Sequence, residues 1–418
     1  MSAAVAGGSA DTLPLQDVLA LVAEQVRALG VEGARVCVVV PDDTRSCPLP
    51  ELLGALRTGL AGAAAVTVLV ALGTHPEMPP ERLSRWLADG RELGAAYPGW
   101  EVRQHEWWRP ETFVELGVIP RAEVEAISGG LLAEDVPVRV NRAVAEHDLC
   151  LVLGPVFPHE VVGFSGGDKY FFPGISGPEV IGTSHWLGAL HTSKEIIGTT
   201  GITPVRALIH RAAEMVPARR ACVALTVRSG SHDVYRVAVS EPPVEAWAAC
   251  AEVSAQVHVR RLDRPVRRVL SVVSERYDEM WTAAKGFYKV EPVVADGGEV
   301  TLYAPHVTAV SHTFGELIER VGYHCRDWVL GHWSEVGDVP RSVLAHSTHV
   351  RGAGTYDVVT GVEHARVRLV LATGIPEQTV RRLGVDYRDP ATVDVAEWAD
   401  DPEALVVPDA GEVLFGLR

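Results

Sequence analysis

The sequence predicts an α/β protein of two domains with mainly parallel sheets. Three observations lead there. Apolar runs of strand length alternate with amphipathic helical runs along most of the 418 residues, the rhythm of strand–helix–strand units that lay a parallel sheet under helices. The length exceeds what one core of ordinary size fills. A basic, proline-containing stretch at residues 255–268, "AQVHVRRLDRPVRR", interrupts the pattern before it resumes, as a domain boundary does.

The elements follow in order. "LQDVLALVAEQVRALG" (residues 15–30) has helical periodicity and stops on glycine, the residue that ends helices most readily. "ARVCVVVPDDTR" (34–45) is a buried strand breaking into a polar loop, "LPELLGALRTGLAG" (49–62) a helix, and "AVTVLVALGTH" (65–75) the next strand and loop. "DLCLVLGPVFPH" (148–159) repeats the strand-to-loop pattern, and "PEVIGTSHWLGALH" (178–191) reads as a helix. Beyond the boundary, "RVLSVVS", "EVTLYAPH" and "RVRLVLATG" read as strands and "TFGELIERVGYH" as a helix. The expected division is an N-terminal domain at 1–262, a C-terminal domain at 266–396, and a tail at 397–418 free to fold back on either, the N-terminal domain included. "HSTHVRGAGTYD" (346–357) is rich in turn formers and reads as a loop, over a site or merely connecting.

Composition narrows the class. Hydrophobic residues at 47% with charged residues at 22% describe an ordinary globular chain, and the formal charge of −16 opposes nucleic-acid or anionic-membrane partners. The six cysteines are scattered without a C-x-x-C pair, so buried reduced thiols are expected in place of disulfides or a zinc cage. The N-terminus lacks the basic start and apolar core of a secretion signal, and the longest apolar run is too short to span a bilayer; a cytoplasmic protein is expected.

Three predicted strands end in polar residues: Asp42 to Arg45, Gly73-Thr74-His75, and Pro158-His159-Glu160. Ligands of open α/β sheets bind beyond the carboxyl ends of strands, which gathers Arg45, His75 and His159 at one expected crevice. Downstream, "GFSGGDKYFFPG" sets Lys169 behind Gly166-Gly167-Asp168, with His159 ten residues before it and His185 sixteen after. Paired glycines let backbone approach a ligand closely, and a lysine desolvated among aromatic rings becomes a nucleophile. An ion pair with Asp168 on a loop explains the same lysine. His185 is a metal ligand or an ordinary helix histidine, and with no H-E-x-x-H or His/Cys spacing any metal here would need ligands from elsewhere. Two histidines facing across a substrate make a general acid/base pair, whereas each alone caps a loop. Arg45 offers a carboxylate fork or a salt bridge within its own Asp-x-x-Arg turn, Asp42 a ribose contact or a helix cap, and Lys285 a second anion contact. His306, His312 and His364 read as structural.

Taken together, Asp42-x-x-Arg45, Leu72-Gly73-Thr74-His75, His159…Gly166-Gly167-Asp168-Lys169…Pro173-Gly174-Ile175…His185, "MWTAAK" and "LATGIP" resemble the nickel-dependent lactate racemase family over nearly the whole chain. The resemblance implies an active site in the cleft between the two domains and a nickel pincer nucleotide, a pyridinium mononucleotide with two sulfur arms, made by separate cofactor-synthesis proteins. It implies covalent attachment to Lys169, nickel ligation by His185, and cofactor contacts from Asp42, Gly166 and Gly167, the small residues leaving room for the flat ring. It further implies inversion at C2 of a 2-hydroxy acid by hydride transfer, with His75 and His159 exchanging the hydroxyl proton and Arg45 and Lys285 holding the carboxylate. Trp281-Thr282 stands where such racemases commonly carry Tyr-Gln, which opens the substrate to aryl, dicarboxylic and sugar acids. The alternatives are a hydrolase or lyase using a simple divalent ion on His75, His159 and His185, and a non-catalytic carrier of the nickel cofactor, which would need only Lys169 and His185.

Overall fold

A computed structural model describes residues 3–418, which divide into two compact units. The first comprises residues up to Phe157, Phe164–Ser184 and Thr200–Val257; the second comprises Pro158–Gly163, His185–Thr199 and His258–Arg418. The chain therefore passes into the second unit twice before the main boundary. One of these passages falls within the helix Pro178–His191, after Ser184.

The first unit is built on a seven-stranded sheet. Its order is Ala4–Gly7, Val234–Ser240, Arg219–Val227, Leu149–Pro155, Arg35–Pro41, Ala65–Ala71 and Glu101–Gln104. The last five run parallel, and Val234–Ser240 is antiparallel to both of its neighbours. Strands 35–41 and 149–155 are apolar nearly throughout because helices cover both faces of a central parallel strand. Helix Leu15–Ala28 turns Val18, Val22 and Val26, one side chain per turn, onto the core. Fully burying each such side chain contributes on the order of 1.5 kcal/mol. From strand 35–41 the order runs outward to 65–71 and 101–104, and from 149–155 outward to 219–227. The sheet therefore reverses winding between 35–41 and 149–155, the point at which α/β sheets open a crevice at their carboxyl ends.

The second unit has a five-stranded, all-parallel sheet ordered Asp386–Tyr387, Arg368–Thr373, Val294–Ala304, Val266–Val273 and Ala404–Ala410. The C-terminal residues supply its edge strand, and Leu414–Leu417 pairs with Val259–Leu262. Winding reverses here between 266–273 and 404–410, beside the loop that leads to Met280 and Lys285. One expectation fails. Residues 346–351, read as part of a turn-rich loop, lie in the helix Arg341–Arg351. The turn formers that follow begin only at Gly352, whose φ of 76° ends that helix. All six cysteines are buried free thiols, and no helix among the described residues is long and apolar enough to cross a membrane.

Candidate active site

The first unit carries Asp42, Arg45, His75, Gly166, Gly167 and Lys169, and the second carries His159, His185, Trp281, Thr282 and Lys285.

At the winding reversal of the first unit, strand 35–41 delivers Asp42 into a buried turn. One carboxylate oxygen accepts from the Thr44 hydroxyl at 2.7 Å and from the Thr44 backbone N–H at 3.2 Å; the other meets His75 Nδ1. A carboxylate opposite Nδ1 fixes the proton on that nitrogen and leaves Nε2 as the basic position. The neighbouring Asp43 is taken by Arg82. Asp42 thus orients His75. The next turn ties this loop to the lysine loop, with the Gly73 N–H donating to the Gly174 carbonyl at 2.9 Å.

Lys169 sits in a single 3-10 turn, Gly167–Tyr170, packed on strands 35–41 and 149–155. Gly166 and Gly167 enter that turn with φ of 84° and 60°, which side chains rarely adopt. A Cβ at Gly166 would lie 2.7 Å from Val156, and one at Gly167 2.9 Å from Trp247. At Gly154 it would strike the Tyr170 hydroxyl, and at Gly174 the Tyr170 carbonyl. Protein atoms fill the side that a Cβ would take, and these glycines serve to bend and seat the turn that presents Lys169.

The turn is clamped from behind. Arg206, fully buried, donates to the carbonyls of Phe164 and Gly166 and lies over the Trp247 ring at 3.8 Å. Burial pushes its pKa down to about 9. Trp247 Nε1 donates to the Ser165 carbonyl at 2.9 Å, and Arg220 to the Asp168 carboxylate at 2.8 Å. Burial raises the Asp168 pKa against the pull of Arg220.

In the second unit, His159 is buried and its Nδ1 accepts from the Val161 N–H at 3.1 Å, with Glu160 at 3.6 Å. An accepting Nδ1 places the proton of the neutral ring on Nε2, the reverse of His75. His185 stands half-buried on the helix Pro178–His191. Lys285 is buried with its ammonium 4.7 Å from the Tyr277 ring centroid. Thr282 turns its hydroxyl to the Glu279 carbonyl, while Trp281 stacks on His346 at 4.4 Å and tilts against Phe314 at 5.1 Å.

Comparison with known proteins was made on this frame. A model of the lactate racemase N-terminal domain matches residues 15–198. The lactate racemase of Lactiplantibacillus plantarum is 29% identical over 155 residues, 36% of this chain and 32% of that one. That of Thermoanaerobacterium thermosaccharolyticum is 24% identical over 281 residues, 65% of this chain. The chain is similar to the lactate racemases, with the family's N-terminal domain matched over residues 15–198. Its alignments span about a third and 60% of those two racemases' own lengths. The crystal structure of a Thermotoga maritima protein superimposes with a TM-score of 0.90 at 32% identity, covering 99% of this chain and 100% of that one. The apoprotein of the Thermoanaerobacterium lactate racemase superimposes with a TM-score of 0.70 at 18% identity over 97% of this chain and 93% of that one, a likeness of fold.

Sequence reasoning missed three residues. Arg206 sits on the buried stripe of helix Pro204–Ala213 with Val205, Leu208 and Ile209, and an arginine on an apolar face was the available signal. His346 and His349, one turn apart on helix 341–351, are buried. Their pKa values fall to about 3 and 4, chiefly through burial, with His185 also lowering both and Glu160 opposing.

The donor set bears on the family's cofactor. Among the described residues no three His, Cys, Asp or Glu side chains group to hold a metal ion. A bare divalent ion therefore finds no cage among them, whereas a single imidazole such as His185 suits a metal that arrives with its own ligands.

Proposed function

We propose that this protein inverts the C2 centre of a 2-hydroxy acid, acting as a nickel-dependent racemase or epimerase. The observation that carries the reading is the contrast in contacts at the two Nδ1 atoms, a carboxylate of Asp42 at His75 and the Val161 N–H at His159, which favours a bare Nε2 on the first ring and an Nε2–H on the second. A reaction that removes a hydroxyl proton from one enantiomer and returns one to form the other needs a base and an acid ready together. The lysine turn supports it, being a rigid mount for a covalently held group.

Lys169 would hold the nickel pincer nucleotide and His185 would ligate its nickel. When bound, that group supplies the hydride acceptor and donor for C2. The protein does the rest. His75 Nε2 takes the hydroxyl proton, and Asp42 stabilises the imidazolium that results. His159 Nε2 returns a proton to the oxygen when the flat 2-keto acid has turned over. After one inversion His75 carries one proton more and His159 one fewer, and proton exchange with solvent restores both rings before the next turnover. Arg45 and Lys285 hold the carboxylate, since fixing orientation is much of the rate. A hydrolase or lyase working through a simple ion gives Lys169 no role, and a carrier has no use for the Asp42–His75 pair.

The test uses protein co-produced with the cofactor-synthesis enzymes and follows optical inversion of chiral 2-hydroxy acids. His75→Ala and His159→Ala should each lower kcat by roughly 10²–10⁴, and Asp42→Asn by a comparable factor by mis-setting the His75 proton, with nickel content unchanged. Normal inversion by both alanine variants would sink the mechanism.

A further inference from the structure

The helix Arg341–Arg351 buries polar atoms that the proton transfers do not use. Among the described residues His346 Nε2, His349 Nε2 and the Tyr323 hydroxyl find no hydrogen-bond partner, and their residues are 6%, 4% and 0% exposed. They form one cluster. Tyr323 meets His346 edge-on at 5.7 Å, Tyr288 meets His349 at 6.0 Å, and both imidazoles feel the charges of Glu160 and His185. Nearly all buried donors and acceptors in folded proteins are paired, so three unpaired ones, one of them on the ring that Trp281 stacks against, point to a partner brought by a ligand.

We propose, resting on the racemase reading above, that these atoms receive hydroxyl groups along the chain of the substrate, which is a polyhydroxylated 2-hydroxy acid of the aldonic type. A neutral imidazole has one donor and one acceptor, and a phenol does both; a hydroxyl answers each on both counts. A methyl or aryl group would leave all three atoms unpaired, and sites built to bond a hydroxyl reject analogues lacking it by large factors. A second carboxylate fits no better, because Glu160 is the acidic group acting on both imidazoles and like charges repel. Trp281 stacks on His346 at 4.4 Å and so borders the cluster.

The holoenzyme should be offered gluconate, lactate, malate and mandelate, with C2 configuration followed by chiral chromatography. Gluconate binding should be measured in parallel by calorimetry on wild type, Tyr323→Phe, His346→Gln and His349→Gln. The expected result is gluconate epimerised fastest, its KM and Kd raised about tenfold by Tyr323→Phe, which removes only the hydroxyl, and more by either glutamine variant. Faster turnover of lactate, malate or mandelate would overturn the proposal while leaving the racemase reading intact. Gluconate handling unmoved by Tyr323→Phe and both glutamine variants would overturn it too, the three atoms then being satisfied by water. Gluconate bound in a Tyr323-dependent way, with no acid inverted, would uphold the site and end the racemase reading.

Discussion

Two buried polar regions of this molecule are built on opposite principles. Around the Lys169 turn, oxygens are answered by donors from distant elements: the Phe164 and Gly166 carbonyls by Arg206, that of Ser165 by Trp247, and the Asp168 carboxylate by Arg220. Arg206 Nε and His210 Nε2 lack hydrogen bonds there, yet both residues lie against the Trp247 indole. Around helix 341–351, by contrast, His346, His349 and Tyr323 keep polar atoms unanswered in the core. The first arrangement fixes one shape for a residue that must be presented. The second gives up stability where something is to be received, as binding sites commonly do.

Breaking the first region should therefore cost the fold, and breaking the second should not. The largest effect is expected at Arg206. Arg206→Met removes both carbonyl donors and leaves Asp168 with less positive charge nearby, which should lower unfolding free energy by about 3 kcal/mol in denaturant titrations. An unchanged midpoint would show that the clamp is incidental.

Acid should probe both regions next. Burial holds His210 near pKa 4, His346 near 3 and His349 near 4, below the usual 6.5. The unfolded chain binds these protons first as pH falls, so stability is complete above about pH 6.5 and declines from there toward pH 4. At pH 5 each histidine should cost on the order of 2 kcal/mol relative to pH 7, and His346→Gln should flatten the decline. Asp168 and Glu291, whose pKa values burial raises, act in the opposite sense, favouring the fold at low pH. Stability independent of pH between 7 and 5 would contradict the burial of these imidazoles. The smallest effect is at Tyr323. Tyr323→Phe should stabilise the fold by about 1 kcal/mol, since it deletes an unpaired buried hydroxyl, while weakening gluconate binding. A loss of stability would mean the hydroxyl is satisfied.

Much of this architecture was legible in the sequence, and the reason is local. Strands such as 35–41 and 149–155 are continuous apolar runs because both faces are covered, and the polar residues after them mark the carboxyl ends where Asp42 and His75 meet. What escaped depends on distant pairing. Nothing near Arg206 announces Trp247, and nothing near Asp42 announces that its carboxylate turns to His75. Residues 346–351 were misread because the glycines after them carry a loop signal, while the helix they end is polar enough to hide its buried face. Nor does anything near Gly166 and Gly167 announce that Val156 and Trp247 pack against the side a Cβ would take.

The most direct test of the central claim is the intact mass and nickel content of the protein co-produced with a complete set of cofactor-synthesis enzymes. The account predicts added mass matching a nickel-bearing, sulfur-substituted pyridine mononucleotide, mapped to the Lys169 peptide and lost in Lys169→Ala. An unmodified, nickel-free chain, under conditions that load an authentic lactate racemase, would contradict it.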